Sequence, residues 1–506
     1  MKTKATLFAM LICLQIPLFA QLSLEKISEA RRSPTTVTAN AASINLDSII
    51  IAHMNALGTP GLATLIVKDN KIVWNKNYGY RDVAQQLPVE DSTSFMLMSI
   101  SKTFVATAVM QLWEHGLLDL DRNVNAYLPK GFVVANPNYP TDSVTARMLL
   151  AHTSSIQDYW GVMTPLRSCE DSPLGLLAFL KGYLMPSGTY YTAMNFSGSR
   201  PGQSYNYTNI GTSLLAVMVE NVTGQSFVDY CRDSIFIPLS MDSASWFLAG
   251  MDLRNIATPY VQSNPACHEG APWWPSCQLR CSKIELSHFL EAYMNYGLYE
   301  NHRILDSTTI ALMLTDQLGY PIDYDLGGGI VGRQTQGLIW FQYSLVDGTM
   351  WLKNGASRLG AETMLGFDPN NNSGFIILMN ACESSNVYPE MTELARNFCI
   401  YLTKYSDDTW VGNNWTQRPT EYLLQQNYPN PFNPSTAISY QLPAVSHVTL
   451  KIYNLLGQEV GTLVDEKQNP GNHSVVFEAG RLPSGVYFYR LNAGKFTATR
   501  KLLLLK

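Results

Sequence analysis

Strand-like alternation of apolar and polar residues at both ends of a long helical stretch constrains this fold most. Two early runs, Gly61–Lys68 and Lys71–Tyr80, meet at Asp69–Asn70 like the arms of a hairpin. Later runs are predicted at Gly337–Leu345, Thr349–Lys353, Glu362–Phe367 and Gly374–Met379. Because little strand signal lies between them, the sequence predicts one antiparallel sheet in which the two ends of the domain pair.

Helical periodicity fills the middle of the chain and flanks the strands. The predicted helices are residues 43–57, Thr103–Leu117, Gly211–Val222, Ser226–Phe236, Lys283–Tyr296, Ser307–Asp316 and Pro389–Tyr405. An apolar fraction of 46% is enough to bury a large core. We therefore predict an α/β (α+β) domain over residues 43–405, with helices packed on its sheet.

The texture changes twice after this domain. Residues 406–422 are rich in Asp, Asn, Thr, Trp and Pro, which is typical of a linker. Residues 423–506 then alternate short strand patterns with turn signals. The strands are predicted at Ala437–Leu442, Val448–Tyr453, His473–Phe477, Val486–Leu491 and Phe496–Leu502. This segment is predicted to be a small all-β sandwich.

The first twenty residues have the features of a secretory signal. Lys2 and Lys4 give a positive start, Leu7–Leu18 is apolar, and Ala20 supplies a small residue for cleavage. The alternative is a buried first helix. No other stretch reaches eighteen apolar residues, so we expect no transmembrane segment in the mature chain.

Charge is distributed unevenly along the chain. The formal charge of −5 becomes −7 without Lys2 and Lys4, and the segment from Gln425 onward has eight basic and four acidic residues. The remaining body is therefore near −11. An acidic body argues against nucleic acid as a partner.

Eight cysteines are present, of which seven follow the signal. An exported chain permits disulfides, and pairing of Cys267 with Cys277 or with Cys281 is expected. No spacing of Cys and His completes a zinc site, so no metal is predicted.

A Ser-x-x-Lys pattern occurs at Ser99 and Lys102, where an apolar helix begins. Residues three apart share a helix face, so Lys102 is expected beside Ser99. A buried lysine loses pKa and becomes able to act as a base toward a serine nucleophile. The alternative is Ser99 as a helix cap with a solvated Lys102. The same pattern at Ser23 and Lys26 is interpreted as chance.

Two further motifs supply the other groups that acyl transfer needs. Tyr207 in Tyr207-Thr-Asn209 is a candidate proton relay, and Asn209 is a candidate contact for a substrate amide or for Lys102. Lys353-Asn354-Gly355 ends a predicted strand, where glycine would let substrate approach closely. The backbone N–H groups of Ala356 and Ser99 are candidates for an oxyanion hole. The alternatives are an aromatic loop residue at 207 and a surface lysine at 353.

His152 and a tryptophan-containing loop are two further candidates for a functional role. His152 invites a His–Ser pairing, but we expect its turn to fix a wall of the cleft. The loop with His268, Trp273 and Trp274 is either a lid or a surface excursion tied by a disulfide.

At these motifs the chain resembles the serine β-lactamase and penicillin-binding protein superfamily, nearest the class C β-lactamase and esterase branch. Further support comes from Leu118-Asp-Leu-Asp121, Leu149-Leu-Ala-His-Thr-Ser-Ser155 and Ile235-Phe-Ile-Pro-Leu239. The resemblance covers about residues 45–405. It implies a sheet domain beside a helical domain, with Ser99 acylated, Lys102 and Tyr207 transferring protons, and Asn209 and Lys353 contacting substrate. No cofactor is implied.

One departure bears on the substrate. Asn354 stands where many members have threonine or serine, whose hydroxyls help to hold a substrate carboxylate. The resemblance therefore leaves β-lactam, D-amino-acid peptide and ester substrates open, with Asn354 favouring esters or peptides. A β-lactam-hydrolysing enzyme and a penicillin-binding-like module acylated without turnover are the alternatives. A third hypothesis is an adhesin carried by the tail, but the sequence has no repeat or binding motif outside this region that would support it.

The tail resembles a type IX secretion C-terminal sorting domain of type A. The resemblance covers residues 423–506. It rests on Gln426-Asn-Tyr-Pro-Asn-Pro-Phe-Asn-Pro434, Ile452-Tyr-Asn-Leu-Leu-Gly457, Leu482-Pro-Ser-Gly-Val-Tyr487 and Arg500-Lys-Leu-Leu-Leu-Leu-Lys506. It implies export through the periplasm and the type IX apparatus, followed by release or attachment at the cell surface.

Overall fold

The protein is described by a computed structural model. It covers residues 45–325, 331–345, 348–357, 360–382, 394–399, 401–402, 422–424, 426–427, 430–443, 445–468, 471–480 and 482–505. The predicted signal at 1–20 and nearly all of the predicted linker at 406–422 lie outside these residues.

A nine-stranded antiparallel sheet joins the early and late strands. Its strand order is β10-β11-β12-β13-β14-β15-β1-β2-β3. These strands are β1 (Gly61–Lys68), β2 (Lys71–Asp82), β3 (Leu87–Pro88), β10 (Ile322–Asp325), β11 (Val331–Gln336), β12 (Phe341–Leu345), β13 (Gly348–Ser357), β14 (Ala361–Asp368) and β15 (Ser373–Met379). Since Leu62 pairs with Met379 and Lys68 with Ser373, the predicted pairing of the two ends is confirmed.

The central strands are covered on both faces. All of β14 and β15, and all of β1 except Lys68, are buried, which is the pattern of a sheet between two helical layers. On one face Tyr293, in the helix Lys283–Met294, packs against Phe367, with ring centroids 5.7 Å apart. On the other face Phe398, from helical residues 394–399, packs against Phe375 at 5.8 Å.

The helices and the short strands complete this domain. The helices are α1 (Leu46–Leu57), α2 (Ser101–Glu114), α3 (Ala146–Leu150), α4 (Trp160–Met163), α5 (Leu176–Leu184), α6 (Asn209–Thr223), α7 (Phe227–Cys231), α8 (Lys283–Met294) and α9 (Ser307–Met313). The short strands are β4 (Ser94–Met96), β5 (Tyr260–Val261), β6 (Asn264–Pro265), β7 (Arg280–Ser282), β8 (Leu298–Tyr299), β9 (His302–Arg303) and β16 (Ala381–Cys382).

Helix α2 lies at the centre of the helical layer. Every residue from Ser101 to Leu112 is buried, so the helix is enclosed by protein on all sides. Phe104 stacks on Phe289 of α8 with centroids 4.0 Å apart. The helix ends near His115, before Gly116 with φ +69°, rather than at the predicted Leu117.

The C-terminal strands form two small antiparallel sheets, ordered β17-β18-β21 and β20-β19-β22-β23. They are β17 (Leu423–Leu424), β18 (Ser435–Leu442), β19 (Ser446–Tyr453), β20 (Glu459–Gln468), β21 (Gly471–Glu478), β22 (Gly485–Ala493) and β23 (Phe496–Leu504). The predicted fold class is thus confirmed for both parts of the chain. Strand β20 was not predicted, because an exposed edge strand carries little of the alternation on which the prediction relied.

The disulfide prediction is wrong. Cys267 is bonded to Cys169, while Cys277 and Cys281 are buried free thiols. Ser168 and Gly270, beside the bonded cysteines, exchange two backbone hydrogen bonds of 2.8 Å. This pair of backbone hydrogen bonds brings Cys169 close to Cys267. Cys277 and Cys281 instead belong to the segment that enters the core through β7.

The tryptophan loop is neither a lid nor a surface excursion. Trp273 and Trp274 are buried in the main core. Trp273 packs on Phe179 of α5, and Trp274 packs on Phe227 of α7, with centroids 5.7 and 6.0 Å apart. Only the approach to this segment, at Cys267, is tied at the surface.

One carboxyl group of β14 is buried, and one of its oxygens has no hydrogen-bond partner among the described residues. Glu362 is 2% exposed, and its Oε2 finds no hydrogen-bond partner within the described part of the chain. Burial raises the pKa of Glu362 from 4.5 to about 8. The folded protein therefore favours the protonated acid.

We predict that Glu362→Gln removes part of the pH dependence of stability. A raised folded-state pKa contributes stability in full below pH 4.5, and this contribution is lost as pH rises toward 8. The variant should gain on the wild type by on the order of a few kcal/mol between pH 4.5 and pH 8.5. Denaturant unfolding at both pH values measures this, with the exposed Glu478→Gln as control. An equal response of Glu362→Gln and wild type to pH would contradict it.

Candidate active site

Ser99 lies on a constrained turn between β4 and α2. Strand β4 pairs with β7, and the N–H of Leu97 donates to the carbonyl of Leu279 at 2.8 Å. Met98 has φ 49°, a left-handed conformation that a non-glycine residue adopts at an energetic cost. The turn continues as a short 3₁₀ helix, Met98–Ile100, in which the Ser99 side chain stays partly exposed.

Lys102 lies one helical turn further on, fully buried. Its Nζ is 3.0 Å from Ser99 Oγ, 2.7 Å from Asn209 Oδ1 and 2.9 Å from the carbonyl oxygen of Ser276. An ammonium has three N–H donors, so these three oxygens satisfy it completely. The structure therefore brings together Ser99, Lys102 and Asn209, as the sequence predicts.

Burial lowers the pKa of Lys102 to about 8, while negative charge at Cys277 and Asp158 would raise it. With a pKa near 8, about a tenth of the lysine is neutral at pH 7. A neutral amine has two N–H groups and one lone pair. Asn209 and Ser276 can accept the two N–H groups, which leaves the lone pair for the hydroxyl proton of Ser99.

Tyr207 completes the cluster around Ser99. An interaction with Ser99 lowers the pKa of its phenol and partly opposes the effect of burial. Its ring centroid is 4.9 Å from Lys102 Nζ and 5.0 Å from Lys353 Nζ. Burial raises the pKa of Tyr207 well above 10, so the group is a protonated phenol at neutral pH and is suited to donate a proton.

His152 packs against Tyr207, with ring centroids 4.4 Å apart. Its Nδ1 accepts a 3.4 Å hydrogen bond from the N–H of Thr208. Burial, together with Lys353 and Lys102, holds the pKa of His152 well below 6.5, so its ring is neutral. These contacts favour a packing role in the wall around Tyr207.

Lys353 projects from β13 into a closed environment. It is fully buried, its Nζ donates to the carbonyl of Ile339 at 3.1 Å, and it lies 4.3 Å from the ring centroid of Phe341. Burial and the nearby Lys102 hold the pKa of Lys353 well below 10.5. The alternative of a surface lysine at 353 is therefore wrong.

Gly355 brings β13 against the nucleophile turn. A Cβ on Gly355 would lie 2.5 Å from the carbonyl oxygen of Leu97 and 2.6 Å from the amide nitrogen of Ser99. Thr363 of β14 joins the same elements by donating to the carbonyls of Leu97 (2.8 Å) and Gly355 (3.3 Å). The turn itself, rather than substrate, therefore occupies the space that glycine leaves.

The remaining predicted residues lie next to this contact. Asn354 and Ala356 are partly exposed and pair with Met364 and Glu362 of β14. Strand β12 pairs with β13 only as far as Leu352, so within the described ranges residues 353–357 pair with a strand on one side, which is β14. An oxyanion role for Ala356 stays a prediction. No group of three or more His, Cys, Asp or Glu that could hold a metal occurs among the described residues.

Two functional contacts were missed from the sequence. Ser276 contributes a backbone carbonyl, which no side-chain motif can reveal. Asp158 accepts a 2.7 Å hydrogen bond from Asn209 Nδ2. It lies some fifty residues before Asn209, and only its closeness to the Leu149–Ser155 turn hinted at it.

Comparison with known proteins identifies the family of the domain that contains this site. The Beta-lactamase family profile matches residues 46–397. The chain belongs to the beta-lactamase family. Protein flp of Staphylococcus aureus (strain NCTC 8325 / PS 47) is 24% identical over 378 residues, which span 72% of this chain and 68% of that protein.

Solved structures share the fold. The octameric penicillin-binding protein homologue from Pyrococcus abyssi is 21% identical, with a TM-score of 0.57 over 90% of this chain and 89% of that one. A class C beta-lactamase in complex with cefoxitin is 20% identical, with a TM-score of 0.55 over 70% of this chain and 97% of that one. At this identity the likeness concerns the fold alone.

The tail has its own match. The Secretion system C-terminal sorting domain profile covers residues 426–505. A type IX sorting domain implies a secreted or cell-surface protein. Within the described ranges, no helix has the length and apolar character needed to cross a membrane.

We predict that Lys102→Met lowers the rate of Ser99 acylation by about 10²- to 10⁴-fold, because it removes the amine that contacts the hydroxyl. Intact-mass measurement of fluorophosphonate labelling follows the rate. The matched control is Lys283→Met, which removes another fully buried lysine, bonded to the carbonyls of Thr64 and Lys76. Equal labelling of Lys102→Met and wild type would remove Lys102 from the mechanism.

Proposed function

We propose that residues 43–405 form a serine hydrolase domain that acts through an acyl-enzyme on Ser99. The observation that carries this proposal is the 3.0 Å contact between Lys102 Nζ and Ser99 Oγ, with two further oxygens fixing the same amine. Membership of the beta-lactamase family supports it.

The pKa shifts favour one division of roles. Lys102, with a pKa of about 8, takes the proton of Ser99 as Oγ attacks the substrate carbonyl carbon. Tyr207, a phenol whose pKa is raised, donates its proton to the leaving group when the carbonyl bond to that group breaks, and Lys102 restores it. Water then attacks the acyl carbon and gives one proton to the neutral amine of Lys102. The bond between that carbon and Ser99 Oγ breaks, and Ser99 Oγ takes the proton back from Lys102 as the carboxylic acid is released. The N–H groups of Ser99 and Ala356 are proposed to hold the oxyanion.

The substrate proposed is a carboxylic ester or a peptide-like amide without an essential free carboxylate. Lys353 is buried beside Phe341 and Tyr207, where burial and the nearby Lys102 hold its pKa well below 10.5. Asn354 lacks the hydroxyl of threonine or serine. Asn209, which bonds to Lys102 in this structure, is proposed to contact the substrate as well.

We predict that the protein turns over a neutral aryl ester faster than a penicillin or a D-alanyl peptide. Mass spectrometry of Ser99 and product analysis, run in parallel on all three compounds, measure this, with Ser99→Ala as control. Faster loss of penicillin would favour a β-lactamase. A stable Ser99 adduct without product would favour a binding module, and hydrolysis retained in Ser99→Ala would contradict the proposed nucleophile.

We further propose that residues 1–20 direct the chain to the periplasm and residues 423–506 direct it through the type IX apparatus, with residues 406–422 as linker. The match of the tail to the sorting-domain family supports the second step. Release from the cell and attachment to its surface are both compatible with this route.

Truncation after Tyr422 should leave an active enzyme inside the periplasm. Because the catalytic residues precede this point, hydrolysis of the aryl ester should persist in periplasmic extracts. Cell fractionation and immunoblotting measure the location, and the full-length chain is the control. Truncated protein in the medium or on the surface at wild-type levels would refute the role of the tail.

A further inference from the structure

Asp158 makes a dense set of contacts at the start of α6. Its Oδ1 accepts from the hydroxyl of Thr208 (2.8 Å) and from the N–H groups of Asn209 (2.9 Å) and Ile210 (3.1 Å). Its Oδ2 accepts from the N–H of Asn209 (2.9 Å) and from Asn209 Nδ2 (2.7 Å). A carboxylate is stabilised at a helix N-terminus, but the side-chain contact to Asn209 exceeds what capping requires.

That contact determines which end of the Asn209 amide faces Lys102. A carboxylate accepts hydrogen bonds and has none to donate. The NH₂ end of Asn209 must therefore face Asp158, and the oxygen end then accepts from Lys102 Nζ at 2.7 Å. The reversed amide would place two acceptors together and would point N–H groups at the amine.

We propose that Asp158 is a positioning residue, whose carboxylate holds the Asn209 oxygen toward Lys102 and so directs the lone pair of the neutral amine at Ser99. The proposal rests on the proposed function, because it assigns Asp158 a role in the same acylation step. It adds a third layer to the site, in which a carboxylate orients an amide, the amide orients an amine, and the amine activates a hydroxyl.

The charge of Asp158 has a second effect on the same amine. Its negative charge favours the protonated form of Lys102 and partly opposes burial. The titratable groups that face Lys102 are Asp158, Cys277, Tyr207, Lys353 and His152. Among them, Asp158 alone is a carboxyl group that is hydrogen-bonded to Asn209, the residue whose amide oxygen accepts from Lys102.

The test is Asp158→Asn, which keeps the shape and removes the charge. We expect kcat/KM for the aryl ester to fall roughly ten- to hundredfold through misorientation, with the fall in kcat rather than a rise in KM. We also expect the pKa of Lys102, followed by NMR of ¹³Cε-labelled lysine and assigned with Lys102→Met, to shift downward. In an Asn209→Ala background, Asp158→Asn should lower kcat/KM further by less than about twofold, because the misorientation passes through that amide. The shift in the pKa of Lys102 should persist there, because the charge acts on the amine directly.

Asp171→Asn is the matched control, since Asp171 also accepts from two backbone N–H groups, of Leu248 and Ala249, at 2.9 Å. It should change neither the pKa of Lys102 nor the coupling to Asn209. An effect of Asp158→Asn on kcat/KM that persists in full in the Asn209→Ala background, or an unshifted pKa of Lys102, would overturn the proposal. If no probe acylates wild-type Ser99, the proposed function fails, and the pKa measurement still decides the role of Asp158.

Discussion

The buried amine of Lys102 is the interaction on which the rest of this site depends. Taking an ammonium out of water is expensive unless its donors are satisfied, and here three oxygens satisfy it. They come from Ser99, Asn209 and Ser276, which are far apart in the chain. The fold must therefore bring the start of α2, the start of α6 and the segment before β7 to one point.

Each of these segments is fixed by its own local structure. The strained φ of Met98 is held between the pairing of β4 with β7 and the approach of Gly355. Asn209 is held at the start of α6 by Asp158. Ser276 follows two tryptophans that are buried in the core, so the carbonyl that binds Lys102 is anchored by apolar packing.

Much of the fold and of the site can be predicted from the sequence, because residue periodicity and short spacings determine it. Alternation predicted strands at β1, β2 and β12 to β15 but missed β10 and β11, and spacing of three placed Lys102 beside Ser99. Ser276 was not predicted because it contributes a backbone carbonyl, which has no sequence motif. Asp158 was not predicted because a single aspartate in a loop can have many roles. The disulfide escaped for a related reason, since Cys169 and Cys267 are 98 residues apart and meet only through a loop bridge.

Burial also separates the proposed proton-transfer roles of Lys102 and Tyr207. Tyr207 and Lys102 are shifted in opposite directions by the same burial, since burial disfavours a phenolate and an ammonium alike. That opposition separates a proton donor from a proton acceptor within one small cluster. Next to the buried Lys353, Asn354 has an amide in place of a hydroxyl, which is the departure from the superfamily motif that bears on the proposed substrate.

The pH dependence of a single-turnover acylation of Ser99 by an aryl ester tests the central claim most directly. If the neutral amine of Lys102 is the base, the rate should rise with pH through an apparent pKa near 8. A rate that does not change with pH, or that rises only near the ordinary lysine pKa of 10.5, would contradict the account.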